Sequence, residues 1–303
     1  MEVFIKKLLK DPVIVVLLIL VPVLAAAVII INANRMSDKN DVPQVTAPPV
    51  ETAVIPDDNG ECEKVTLETV LASAELCAGS WDVFALDLTD GESAAIGTTG
   101  EPMVSASLIK LFIMAAVYDR FADENGDLGS IYDDVSIMIR VSDNDAANRL
   151  TLLLGDGNET AGRQAVTDFA RSVGCEDTIH NRLMLVSNGT ENYTTAADCA
   201  RLLKLIYDGS CVSPVCSRRM LNIMSEQYYS NGLDKLPEGA EVFHKTGNLT
   251  LKVCGDAGII KCNGRSWILC AICNYQPSEQ EPQNSIAALS GNVFEYITLK
   301  QYE

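Results

Sequence analysis

Histidine is scarce in this 303-residue chain, which has only His180 and His244. No G-x-S-x-G segment accompanies them, so the nucleophile elbow of a Ser-His-Asp hydrolase is missing. Zinc chemistry lacks its ligand pattern as well. Cys270-Ala-Ile-Cys273 has the right spacing but lies in an apolar run with no second pair beside it. Basic residues are few, with 23 Lys and Arg against 41 Asp and Glu and a net charge of −18. Nucleic acid needs a basic footprint, and an anionic bilayer would repel so acidic a body. No internal repeat and no low-complexity tract is present. The expectation is a globular protein with no nucleic-acid partner, no metal and no organic cofactor.

Apolar content is ordinary at 48%, enough for a sizeable core. Val13 to Ile31 is a nearly unbroken apolar run, interrupted only by Pro22. A bilayer-spanning helix needs ~20 such residues. Lys6, Lys7 and Lys10 precede the run, whereas Arg35 and Lys39 after it are mixed with Asp38 and Asp41. The positive-inside rule then makes 1–12 a cytoplasmic stub, 13–33 a single-pass membrane anchor and the remainder extracytoplasmic. A cleaved signal peptide is the rival reading, but its apolar region is usually ~7–15 residues. Pro43, Pro48, Pro49 and Pro56 among polar residues mark 34–60 as a semi-extended linker. Ten cysteines all follow the apolar run, in a compartment that permits disulfides. Cys211 and Cys216 are spaced for a short loop. An Asn263-Gly264 turn sets Cys254 opposite Cys273 across a hairpin. Disulfides and small buried thiols both fit these positions.

From Glu61 onward the pattern is mixed. Lys64 to Leu76 reads as an amphipathic helix, and Asp82 to Leu88 with Ser93 to Ile96 as strands around Asp90-Gly91. Ser107 to about Ser225 has helical period, broken at Glu124-Asn125-Gly126, Gly155 to Gly157, Asn188-Gly189 and Ser213-Pro214. Strands follow at Glu241 to Thr246, Val253 to Lys261 and Ser266 to Tyr275, then a helix from Asn284 to Leu299. Strands at both ends of 61–303, with helices between, predict an α+β domain whose sheet is completed by distant segments.

Three short motifs carry chemistry. Ser107-Leu-Ile-Lys110 opens an apolar helix, and Lys110 sits one turn beyond the serine on the same face. A helix N-terminus stabilises developing negative charge, and a lysine near a second cation, partly desolvated, becomes a base. Ser142-Asp143-Asn144 begins the next helical run, and Lys245-Thr246-Gly247 ends a strand. Singly, each has an ordinary explanation: a capping serine, a helix cap and a polar strand end.

Their order is what distinguishes them. S-x-x-K, S-D-N and K-T-G in succession resemble the signature of class A β-lactamases and penicillin-binding proteins. The resemblance covers nearly all of Glu61 to Glu303, including Asp143 to Asn148 and the Asp256-Ala257-Gly258 that follows K-T-G. It implies an antiparallel sheet flanked by helices, an α/β/α sandwich, with an all-helical lobe and the active site between them. It further implies that Ser107 attacks a carbonyl, that Lys110 takes or relays its proton, and that Ser142 passes a proton to the leaving nitrogen. Asn144, Lys245, Thr246 and Gly247 would bind substrate, and the backbone N–H groups of Ser107 and Asn248 would form the oxyanion hole.

Two departures from the family pattern bear on function. Class A enzymes carry R-x-E-x-x-L-N, whose glutamate activates the deacylating water. Arg182-Leu-Met184-Leu-Val-Ser-Asn188 stands here, with a methionine at the glutamate's position and no Asp or Glu between Asp177 and Glu191. Glu191 is the nearest substitute. Cys254 also stands near the place of a substrate-binding arginine, with Lys252 as a replacement or a solvent-facing edge charge. The expected activity is acylation of Ser107 by β-lactams or D-Ala-D-Ala-like peptidoglycan peptides, with slow deacylation. A D,D-peptidase and a non-catalytic β-lactam or muropeptide sensor are the alternatives. His244 reads as structural.

Overall fold

The computed structural model describes residues 65–97, 101–187, 189–275 and 278–300. The expected stub, anchor and linker lie outside the described residues, as does Asn188. Among the described residues no helix is long and apolar enough to cross a membrane.

The elements in chain order are α1 (Leu67–Ala72), β1 (Ser80–Asp87), β2 (Ser93–Gly97), β3 (Met103–Val104) and a 3₁₀ turn (Ala106–Leu108). Helices α2 (Ile109–Phe121), α3 (Tyr132–Arg140), α4 (Asn144–Leu154) and α5 (Glu159–Ser172) follow. Then come β4 (Tyr193–Thr194), α6 (Ala196–Tyr207), α7 (Pro214–Met224), β5 (Glu241–Leu249), β6 (Val253–Cys262), β7 (Arg265–Asn274) and α8 (Gln280–Leu299). Two of the expected breaks lead into capped helices, Gly155 to Gly157 into α5 and Ser213-Pro214 into α7. Asn158, Thr195 and Ser213 each accept a hydrogen bond from a backbone N–H of the first turn, and Pro214 opens α7.

Strand β7 organises the sheet because both of its faces are buried. Trp267, Leu269, Ala271 and Cys273 face a core shared with α1 and α8, while Ile268, Cys270 and Ile272 face the helical lobe built on α2. That accounts for its unbroken apolar run. Strand order is β2-β1-β7-β6-β5, antiparallel throughout, so the early hairpin joins the late strands through β1 and β7, from Ser80↔Asn274 to Asp87↔Trp267. The result is the expected α+β sandwich with a helical lobe.

Several boundaries differ from the sequence reading: α8 begins at Gln280 rather than Asn284, and among the described residues no helix lies between Ser172 and Ala196, where β4 pairs with β3 instead. Helix α1 stops at Ala72 because the Ser73 hydroxyl turns back to donate to Val70 O, 2.9 Å. Strand β5 continues past Lys245-Thr246-Gly247 to Leu249, since β6 pairs with it as far as Leu249↔Val253. The hairpin register does put Cys254 opposite Cys273. No bridge forms, however: Cys254, Cys273, Cys211 and Cys216 are buried free thiols. Burial pushes Cys211, Cys254 and Cys273 up to about 12, so the reactive thiolate is scarce.

Helix α2 is buried at every position from Ile109 to Tyr118, as befits a helix that is apolar all round. Its neighbours α4 and α5 pack closely through glycine. A Cβ added to Gly162 would stand 1.8 Å from Thr151 O, so the two helices meet backbone to backbone. Replacing Gly162 by Ala is therefore expected to force them apart and lower stability by about 3 kcal/mol, at the upper end of overpacking costs. Thermal unfolding checks this, and an unchanged midpoint would contradict the close approach.

Candidate active site

Ser107 lies in the 3₁₀ turn that leads into α2 and is 8% exposed. Its hydroxyl caps no helix, which removes the ordinary reading of the residue. The preceding Ala106 has φ +44°, a left-handed conformation uncommon for a residue with a Cβ. Strand β5 passes directly against this turn. A Cβ on Gly247 would stand 2.9 Å from Leu108 Cγ and 3.1 Å from Ser105 O. The glycine of K-T-G is thus required for the strand to reach the serine.

The S-D-N segment divides its labour. Asp143 caps α4 by accepting from Ala146 N–H at 2.7 Å, leaving Ser142 and Asn144 to the cleft. Lys110 comes from the fully buried face of α2. Its ammonium donates to Ser142 O at 2.6 Å, Ser142 Oγ at 3.2 Å and Asn144 Oδ1 at 2.8 Å. Lys245 donates to the same Ser142 Oγ at 3.0 Å and to Thr246 O at 2.8 Å. A hydroxyl has two acceptor lone pairs and one donor. Both lone pairs of Ser142 face ammonium groups, so its own proton is directed elsewhere.

Burial acts against both charges. Lys110 is pushed down to about 7 by desolvation, against the opposing pull of Asp143. Lys245 is also driven down, by complete burial and then by the charge of Lys110. Near neutral pH this pair therefore holds fewer than two extra protons, and a neutral amine is available as a base. The three N–H bonds of the Lys110 ammonium are already committed, and Ser107 Oγ makes no hydrogen bond among the described residues. A neutral Lys110 keeps two N–H bonds and frees one lone pair, so loss of its extra proton gives up one of those three contacts.

The cleft has two halves that meet at Ser107, Asn144 and Asn248. One, about 470 Å³, is also lined by Ser142, Asp143, Tyr229 and Thr246. The other, about 430 Å³, extends along Arg182, Met184, Leu185, Glu191 and Lys252. All eight residues expected from the sequence thus gather at one place. Lys110, Lys245 and Gly247 lie behind its wall. Among the described residues no group of His, Cys, Asp and Glu could hold a metal ion.

Met184 is held firmly. Its N–H donates to Asn148 Oδ1 at 2.7 Å, and Asn148 Nδ2 donates to its carbonyl at 3.1 Å. Asn192 fastens the same loop, accepting from the N–H groups of Asn181 and Arg182 and donating to Arg182 O. Glu191 faces the cleft, but its Oε2 is bound by both Nε and Nη2 of Arg182. His180 is buried and held down to about 3 by desolvation and by Arg163 and Arg182, and it lines neither half.

A network beneath the site, with Asn231 at its centre, was not identified from the sequence. Asn231 and Asn248 exchange two side-chain amide bonds at 2.9 Å. Asp256 accepts from the N–H groups of Asn231 and Leu233 and pairs with His244 Nδ1 at 2.8 Å. Burial opposes a charge on His244, but Asp256 outweighs it and raises the imidazole above its ordinary value. This network holds β5 from behind, consistent with a structural role for His244. Tyr229 was likewise missed, since its segment carries no motif.

Solved structures share this architecture. PBP-A superposes with a TM-score of 0.67 at 23% identity, over 76% of this chain and 95% of that one. A leucine-to-glutamate variant of PBP-A, in an acyl-enzyme complex with penicillin G, gives 0.62 at 24% identity, over 73% and 90%. A β-lactamase from Sphaerobacter thermophilus gives 0.64 at 21%, over 76% and 96%. No curated protein matches the sequence. Residues 64–133 and 130–297 match the family model described as the beta-lactamase enzyme family, and with nearly the whole described body covered, the chain belongs to that family of serine hydrolases.

Proposed function

We propose that Ser107 is the nucleophile of an acyl-transfer enzyme, acylated by β-lactams or D-Ala-D-Ala-like peptides and released slowly. In this reading Ser107 Oγ attacks the carbonyl carbon while neutral Lys110 takes its proton. Negative charge collects on the carbonyl oxygen, where the N–H groups of Ser107 and Asn248 stabilise it. The C–N bond then breaks, and the Ser142 proton passes to the nitrogen, replaced through the lysine pair. Asn144 Nδ2 holds the substrate amide, and Thr246 with Lys245 receives its carboxylate. Residues 13–33 would tether the body to the outer face of a membrane.

The observation that carries the slow step is Met184, clasped by Asn148 on the cleft wall. A thioether accepts hydrogen bonds weakly and cannot take a proton from water. The leucine-to-glutamate variant of PBP-A in an acyl-enzyme complex with penicillin G shows that a penicillin adduct forms on this fold. The absence of a carboxylate at this position also favours a D,D-peptidase over a fast β-lactamase.

Intact-mass analysis of the protein mixed with benzylpenicillin is expected to show one added penicillin that persists for minutes or longer, and none on Ser107→Ala. Binding that survives in Ser107→Ala, without an adduct on the unaltered protein, would instead support a non-catalytic sensor. Met184→Glu is expected to shorten the adduct's lifetime at least tenfold, a general base being worth ~10²–10⁴. An unchanged lifetime would refute the role given to this position.

Acylation is also expected to depend on pH. Lys110 is lowered to about 7, so its neutral, basic form grows as pH rises through that value. The acylation rate measured by stopped flow should climb between pH 6 and 8 with a midpoint near 7. A flat profile would remove Lys110 as the base.

A further inference from the structure

The two halves of the cleft differ in the charge they present. In the half lined by Ser142 and Thr246, the cations Lys110 and Lys245 are buried behind Ser142, and Asp143 is at the wall. The proposed proton path to the leaving nitrogen runs through this half. The other half is left for the acyl side of the substrate.

That second half contains Arg182, Glu191 and Lys252. Arg182 and Glu191 bind each other, so at a distance their fields largely cancel. Lys252 is exposed in the turn between β5 and β6. Among the described residues its ammonium has no hydrogen bond and no ion pair. An edge-strand lysine often serves only to discourage strand pairing. This one is different in its location, on the lining of the same space as Ser107, with apolar walls from Met184, Leu185 and Leu249. Apolar walls restrict water and strengthen a charge interaction beside them. The flexible stem of lysine lets the ammonium follow a mobile anion.

We infer that Lys252 is a specificity-determining residue that selects acyl donors bearing a carboxylate on the acyl side of the scissile bond. The inference rests on Ser107 being the nucleophile and adds the chemical class of the preferred donor. The anion can be presented by a β-lactam side chain or by a peptide residue upstream of a D-alanyl-D-alanine end.

The test is a matched comparison. Second-order acylation rates are measured by mass spectrometry for benzylpenicillin and for its α-carboxy analogue, which differs by one carboxylate. A second pair, peptides ending in D-alanyl-D-alanine with glutamate or glutamine immediately upstream, distinguishes the two sources of the anion. The ratio of the anionic to the neutral donor is expected to fall about threefold in Lys252→Gln, the scale of one partly exposed charge pair. It should fall further in Lys252→Glu and shrink with added salt. A general loss of structure would lower both rates and leave the ratio alone. Ratios unchanged in both pairs overturn the inference while acylation itself stands. Absence of any Ser107 adduct from all four donors overturns the reading beneath it, and the inference with it.

Discussion

Two ammonium groups share one hydroxyl in the interior of this protein, and the rest of the site follows from that arrangement. Lys110 and Lys245 both bond Ser142 Oγ and so lie no more than about 6 Å apart. At an effective dielectric near 20, two charges at that separation repel by roughly 3 kcal/mol. Burial adds a desolvation cost to each. Burial is what brings Lys110 down to about 7, and burial followed by the charge of Lys110 drives Lys245 down as well. A buried amine with its value near 7 can serve as a base at neutral pH. That base is held in place because Lys110 is fixed on a helix buried all round and Lys245 on a strand whose Gly247 lies against the serine's turn.

Under the proposed function, acylation would call on Ser107, the lysine pair, Ser142 and strand β5, while Met184 lines the same cleft half as Ser107 from a different loop. None of these touches the loop carrying Met184 through a hydrogen bond among the described residues. The loop's scaffold is complete, with Asn148, Asn192 and the Arg182–Glu191 pair all engaged. Among the residues it adds to the cleft lining is Met184, whose sulfur lies 3.9 Å from Asn192 Nδ2. Under the proposed function, a single side chain there would change the fate of the acyl-enzyme without disturbing its formation. Glu191 is not a free substitute, because its Oε2 is held by Arg182.

How much of this was legible in the sequence depends on whether the chemistry was local. The motifs S-x-x-K, S-D-N and K-T-G are short, and each functional atom in them sits within three residues of its partner in the motif. Their order alone placed the site. The β6–β7 register was legible too, because an Asn-Gly turn fixes it, and Cys254 does oppose Cys273. Pairing of those thiols was not legible, since bond formation depends on side-chain geometry that register does not specify. Asn231 could not be found, because it acts on β5 across more than ten residues of chain and leaves no spacing to read, and Asp256, though part of the segment after K-T-G, showed nothing there of its pairing with His244. The ends of α1 and β5 were set by a serine turning back and by a neighbouring strand, both tertiary effects on local propensity.

Charge is distributed in a way that composition alone conceals. A chain with a net charge of −18 would repel an anionic substrate at long range, yet the proposed substrates are anions. Salt resolves this conflict, because screening limits the repulsion to about 8 Å at physiological ionic strength. Within that distance of Ser107 the charges that matter are those of the cleft itself. Lys110 and Lys245 are buried behind Ser142, while Lys252 stands exposed beyond Asn248. The buried pair is packed on all sides, as proton transfer at a fixed point would require. The exposed lysine has a flexible stem, as recognition of an anion would require. Under the proposed function the acidic surface would serve solubility, and the cations at the cleft would select what binds there.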